Sequence, residues 1–242
     1  MEMNTTIVVD RLQSALRFRE SLSLNTNAMR LVNGRGDGLD GLVIDRYDKH
    51  FVIYILDSFW RQQKEAVRDF LSEHFDVQYL ICKDRSAAGF VEDVLIQHQD
   101  SKTIVEENGL RFHADLNDHL NQGLFLDMRK NRKLVSSYAK DKAVLNCFAY
   151  TCSFGVYCRR FGAARVTNVD ISSKFLQKGK ENYRLNQVHE GRSEFVEDDT
   201  VQYLKRVARW NNLFDIIILD PPSFARFEGK VFSVKKDMPA LI

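Results

Sequence analysis

The sharpest chemical signal in the chain is Asp220-Pro221-Pro222-Ser223-Phe224, which closes a nearly all-apolar run, Phe214–Leu219. Two consecutive prolines remove backbone donors and fix the backbone. That leaves carbonyls and the Asp220 carboxylate facing the crevice at the strand end, with Phe224 available to stack on a flat base. A plain strand-ending turn has no need of the carboxylate. Three other runs also end in polar residues. Asn146-Cys147-Phe148-Ala149-Tyr150-Thr151-Cys152-Ser153-Phe154-Gly155 is a turn rich in small residues that leads into a helix. The N-terminal amides of such a helix can hold a carboxylate, although an ordinary strand-to-helix loop would read the same way. Asp170 ends the next run, 24 residues after Asn146, close to the roughly 20-residue separation at which an acid binds a ribose hydroxyl pair. It is equally well placed to cap the helix that follows. Glu197-Asp198-Asp199 ends the third; an acceptor there suits the exocyclic amine of an adenine, and Asp199 or Thr200 suits a helix cap.

These strand ends are useful only if the fold brings them to one edge. From about Asp118 the chain alternates: a helix from Arg129, strand AVLNCF, a helix from Ser153, strand RVTNVD, helix Lys174–Asn186, strand SEFVED, helix Thr200–Trp210 and strand FDIIILD. Such alternation predicts a parallel, doubly wound α/β sheet, whose ligand site lies at the carboxyl ends of the strands near the switch in strand order. No GxGxxG pattern is present, which argues against NAD or FAD as the ligand. Upstream, residues 7–20 have helical spacing, glycines 34, 36, 38 and 41 punctuate short β-branched runs, Trp60 to Phe75 carries a helical stripe, and Val77–Cys82 reads as a strand. The expected organisation is a small α+β domain over 1–118 and the α/β domain over 119–242.

Lys plus Arg (35) nearly balances Asp plus Glu (33), so any nucleic-acid contact must come from a local patch. The two basic clusters, Arg129-Lys130-Arg132-Lys133 and Lys205-Arg206-Arg209, read first as solvated helix faces. Cys82, Cys147, Cys152 and Cys158 show no CxxC pairing and follow no secretory leader, which predicts reduced thiols in a cytoplasmic protein and no metal site. No apolar run approaches the roughly 18 residues of a membrane helix.

Asn-Cys-Phe-Ala-Tyr-Thr, the Asp170 strand end, Asp198-Asp199 and Asp-Pro-Pro-Ser-Phe, in this order and spacing, resemble motifs I to IV of class I S-adenosylmethionine-dependent methyltransferases. RLVNGRGDGLDGLVIDRY and GLFLDMRKNR are similar to strings of the ribosomal RNA large-subunit methyltransferase family that makes 5-methylcytosine, and the match runs from about Met29 to Ile242. Relatives in that family usually carry a PUA domain in front, for which no counterpart is found here.

The resemblance implies a Rossmann-like methyltransferase domain, S-adenosyl-L-methionine as cofactor, and ribosomal RNA as partner, with a homodimer expected by analogy. It implies that Asn146, Phe148, Tyr150 and Thr151 surround the methionine part of the cofactor, Asp170 the ribose and Asp198 the adenine. Asp220 then lies beside the reacting methyl as the catalytic residue within the chain, and Phe125, Asp127 and Arg129 help to close the pocket. In the resembling enzymes a nucleophilic cysteine follows a later strand, so it is expected beyond Ile242, with the parallel sheet incomplete after its fourth strand and Phe214–Leu219 left with an exposed apolar flank. Cys152 is rejected as that nucleophile, because the cofactor loop lies on the wrong side of the methyl. Cys152-Ser153 also departs from the family, which tends to have glycines there, and the side chains are expected to weaken cofactor binding. The favoured product is 5-methylcytosine. A truncated or degenerate methyltransferase that binds cofactor or RNA without catalysis, a guanine methyltransferase of a sister family, and a small-molecule methyltransferase are the alternatives.

Overall fold

The computed structural model describes residues 4–86, 90–119, 121–188, 193–209, 213–222, 224–227 and 230–233. The chain separates into two compact units, Met1–Leu126 and Asp127–Ile242.

The first unit opens with helix α1 (Thr5–Ser21), capped by the Asn4 side chain, which accepts from the Ile7 amide. Val8, Leu12, Ala15 and Leu16 recur on its buried face, the spacing of an amphipathic helix. Strands β1 (Ala28–Asn33), β2 (Leu42–Tyr47), β3 (His50–Ile55), β4 (Tyr79–Asp84) and β5 (Val91–Gln97) form one sheet in that order. All neighbours are antiparallel except β3 and β4, whose parallel crossover is carried by helix α2 (Lys64–His74). Both helices and the sheet share one core around Leu12, Phe51, Trp60, Leu71 and Leu80. Strands β6 (Lys102–Glu107) and β7 (Leu110–Asp115) form a separate hairpin. Its turn residues, Asn108 (φ 51°) and Gly109 (φ 78°), are both left-handed, as a tight two-residue hairpin turn requires.

The second unit runs α3 (Arg129–Ser137), β8 (Ala143–Cys147), α4 (Ser153–Arg160), β9 (Arg165–Asp170), α5 (Ser173–Leu185), β10 (Ser193–Glu197), α6 (Thr200–Arg209) and β11 (Ile216–Leu219), followed by a hairpin of β12 (Phe224–Phe227) and β13 (Lys230–Ser233). The four-stranded sheet has the order β10-β9-β8-β11 and is parallel throughout. The chain winds outward from β8 to β10 and returns to the other side of β8, so the topological switch lies at β8 and the ligand crevice at its carboxyl end.

The strand is shorter than the apolar run Phe214–Leu219: β11 begins only at Ile216 and, among the described residues, pairs with β8 alone. Ile217 is 51% exposed. The strand starts late because Asp215 is used otherwise: its carboxylate accepts from the Ala143 amide at 2.8 Å, and Phe214 lies beneath the Arg165 guanidinium. Trp210, Ser223, the Phe224 side chain and Met238–Ile242, all named in the sequence reading, lie outside the described residues.

Candidate functional site

The turn after β8 is built from strained backbone. Phe148 (φ 53°), Tyr150 (φ 47°) and Cys152 (φ 59°) are all left-handed, a conformation that costs a residue with a Cβ about 1 kcal/mol or more. Three such residues within five persist only because their surroundings hold them. The Ala149 amide donates to the Val169 carbonyl at 3.0 Å and the Cys152 amide to the Ala149 carbonyl at 2.7 Å. The Tyr150 amide donates to Asp170 Oδ2 at 2.7 Å, and Asn182 Nδ2 donates to the Thr151 carbonyl at 3.0 Å. The Tyr150 ring meets Phe175 edge-on, centroids 4.6 Å apart. Cys152 then caps α4 with its left-handed backbone, which turns the N-terminus of that helix into the crevice.

The Cys152 side chain takes an unexpected course. Instead of standing in the crevice, it is fully buried against Gly179 of α5. A Cβ on Gly179 would collide with Cys152 Sγ and lie 3.0 Å from its Cβ. A left-handed residue points its side chain in a direction that a right-handed one does not, and the bare Gly179 leaves the space. The Cys152 side chain is thus taken up by α5.

Asp170 ends β9 with both carboxylate oxygens engaged by backbone, Oδ2 by Tyr150 and Oδ1 by the Ser172 amide at 2.9 Å. The cap of α5 is Ser172, whose side chain accepts from Phe175, so Asp170 does not fill that role. Burial pushes the Asp170 carboxyl above the usual carboxylate range, against the pull of the amides of Ser172, Tyr150 and Ile171. Each of its oxygens keeps a second lone pair for a hydroxyl donor. At the end of β10 the two acids divide the work. Asp198 pairs with Arg206 of α6, and its amide donates to the Asp170 carbonyl at 3.0 Å. Asp199 caps α6, accepting from the Gln202 amide at 2.9 Å.

Asp220 follows β11 and is half-buried. Burial raises its proton affinity first, the Asp127 charge raises it further, and Arg132 lowers it. Those two neighbours come from the short 3-10 turn Leu126–Met128 and from α3. Arg132 is missed as a site residue when the 129–133 cluster is read as a solvated face. Lys130 and Lys133 are exposed and Arg129 is half-buried, but Arg132 is 1% exposed. The available signal is its spacing of four from Ser136, which is also buried on α3. Phe125 belongs to the other unit and is 42% exposed.

Asn146 lies beneath the loop rather than in it. Its Nδ2 donates to Asn168 Oδ1 at 3.0 Å, and Asn168 Nδ2 donates to the Tyr183 hydroxyl at 3.1 Å. This buried chain crosses from β8 through β9 to α5. Helix α4 rests directly on it at Gly155, where a Cβ would collide with Asn168 Oδ1 and lie 2.5 Å from the Tyr183 hydroxyl. Among the described residues no group of three or more His, Cys, Asp or Glu is arranged to hold a metal ion, and no helix is long and apolar enough to cross a membrane.

The S-adenosylmethionine-dependent methyltransferase family matches residues 73–239. The chain belongs to this family. It is 34% identical over 241 residues to the ribosomal RNA large subunit methyltransferase I of Vibrio parahaemolyticus, covering 95% of this chain and 61% of that protein. It is 35% identical over 240 residues to the protein of the same name from Tolumonas auensis, covering 95% and 60%. Among solved structures, the methyltransferase SMU.776 complexed with SAH (S-adenosylhomocysteine) superposes with a TM-score of 0.91 at 31% identity, over 100% of this chain and 64% of that one. The chain thus spans about three fifths of the length of these relatives. As a member of this family the chain carries every strand end discussed above, from Asn146 to Asp220, within the matched span.

Proposed function

We propose that the chain methylates a base of large-subunit ribosomal RNA, with S-adenosyl-L-methionine bound at the carboxyl ends of β8, β9 and β10 and cytosine C5 as the favoured acceptor. The observation that carries this reading is the clamp between Asp170 and Tyr150: a buried carboxylate at the end of β9, beside the switch point, that braces the strained loop after β8. The relatives' names supply the substrate class.

When bound, the cofactor supplies an electrophilic methyl on a sulfonium. Asp170 accepts the ribose hydroxyls, because an anionic acceptor takes a hydroxyl pair better than a neutral one. Asn146, at the end of β8, flanks the methionine part together with Phe148, Tyr150 and Thr151. Asp198 faces the adenine while Arg206 holds its carboxylate. Asp220 stands between methyl and base; with its proton affinity raised, it can accept from an exocyclic amine or share a proton with a ring nitrogen. Asp127 and Arg129 close the pocket on the α3 side.

Methylation at C5 requires a thiolate that adds to C6 and activates the neighbouring carbon. The four cysteines of this chain are buried, and burial pushes the thiols of Cys147 and Cys158 up to about 12. The thiolate for C5 chemistry is therefore none of these four. A guanine ring nitrogen needs no such thiolate, and methylation of guanine is the second reading.

The test is calorimetric titration of the 242-residue chain with SAH, repeated on Asp170→Ala. Loss of two hydrogen bonds to a charged acceptor, at about 1.5–3 kcal/mol each, weakens binding by about a hundredfold or more. Unchanged affinity in a folded Asp170→Ala chain refutes the assignment of Asp170. Transfer of labelled methyl to ribosomal RNA, with nucleoside analysis of the product, separates 5-methylcytosine from methylguanine.

A further inference from the structure

Among the residues that hold the loop, Asn182 of α5 has no contact assigned to it with the cofactor. Asn182 is 0% exposed and stands in the last turn of α5, where burial costs its amide solvation. An apolar side chain would be easier to accommodate. What Asn182 gains is the bond from Nδ2 to the Thr151 carbonyl at 3.0 Å, and Thr151, 1% exposed, sits between the left-handed Tyr150 and Cys152. Gly179, three residues earlier on the same helix face, leaves room for the Cys152 side chain. Two residues of α5, one turn apart, therefore shape the second half of the loop, while Asp170 holds the first half through the Tyr150 amide.

We propose that Asn182 is a positioning residue of the cofactor site: it acts through the Thr151 carbonyl to hold the strained loop in the conformation that receives the methionine end. The inference rests on the cofactor reading given above. Asp170 both braces the loop and faces the ligand, so its replacement cannot separate the two roles. Asn182 is bonded to the loop's carbonyl from behind, so its replacement reports on loop position. A left-handed residue relaxes when its restraint is removed, and a relaxed Tyr150–Cys152 segment no longer presents the same backbone to the ligand.

The experiment compares the full 242-residue wild-type chain with Asn182→Leu, Asn182→Ser and Leu176→Ala. Each is checked for folding by circular dichroism and thermal midpoint, then titrated with SAH. Leu176 is buried on the same helix, so its truncation is a stability control. Asn182→Leu is expected to raise the dissociation constant tenfold or more. Asn182→Ser keeps a shorter donor and is expected to fall between that value and wild type. Leu176→Ala is expected to lower the midpoint while leaving the dissociation constant within twofold. The proposal is overturned if folded Asn182→Leu binds within twofold of wild type, or if Leu176→Ala weakens binding as much. Should Asn182→Leu fail to fold, Asn182→Ser decides, and an unchanged constant there is equally fatal. A wild-type chain that does not bind SAH overturns the cofactor reading itself, and this inference with it.

Discussion

The contact between Cys152 and Gly179 makes a quantitative prediction. Gly179→Ala in the interior of α5 would ordinarily gain about 1 kcal/mol from helix propensity. Here the new Cβ collides with a fully buried Sγ and comes within 3.4 Å of the Thr151 carbonyl carbon. Carbon atoms in a well-packed interior rest at about 3.5–4.0 Å, so a displacement on the order of 1 Å must be absorbed, where the left-handed backbone of Cys152 cannot rotate freely. Overpacking of this kind costs about 1–3 kcal/mol, which cancels or outweighs the helix gain. Cys152→Gly relieves the left-handed strain by about 1 kcal/mol and loses a similar amount of burial, so alone it is close to neutral. In the double variant the methyl introduced at position 179 enters the space left by Sγ, and the helix gain is realised without a collision. The two substitutions should therefore couple favourably by about 2 kcal/mol, read as a double-mutant cycle from urea unfolding of the four chains. Additivity within about 0.5 kcal/mol, the usual outcome for independent sites, would refute the geometry on which the argument rests.

Gly155→Ala should cost about 2 kcal/mol or more in the same assay, because its methyl must push apart Asn168 and the Tyr183 hydroxyl, whose hydrogen bond is buried. The midpoint should fall with no change in the spectroscopic signature of the first unit. Asp220 has a folded-state pKa raised by burial and by Asp127. Its contribution to stability is therefore present below the ordinary carboxylate value of about 4 and is lost as pH rises through the folded value. Asp220→Asn should accordingly melt above wild type at pH 7, with the two midpoints converging below about pH 4. Parallel midpoints across that range would count against the environment described for Asp220.

The parallel sheet is legible because its apolar runs alternate with helical stripes, and the strand ends are legible because polar residues close each run. The hairpin of β6 and β7 is legible too, though the sequence reading passes over it: Asn108-Gly109 is the strongest short-range hairpin signal, flanked here by VEE and LRF. What the sequence does not show is direction. Whether Cys152 points into the crevice or back toward α5 depends on a φ angle and on a glycine 27 positions later. Gly155 and Gly179 look like ordinary helix-weakening glycines until the side chains they accommodate are in place. Arg132 falls within a run of basic residues whose composition suggests a wet surface, and only the rotation of α3 distinguishes it from Lys130 and Lys133. The late start of β11 likewise turns on a tertiary bond from Asp215 to the first amide of β8.

The buried thiols have a use beyond packing. A thiol reacts as its thiolate and only when a reagent can reach it, so Cys82, Cys147, Cys152 and Cys158, all buried and all with raised proton affinity, should be silent in the native chain. Cys82 lies in the first unit and the other three in the second. The rate at which an alkylating reagent traps each one becomes a clock for the opening of its own unit, with no label to introduce. Protection of Cys152 by added SAH, while Cys82 keeps its rate, would read ligand binding directly as a slowing of local opening around the loop.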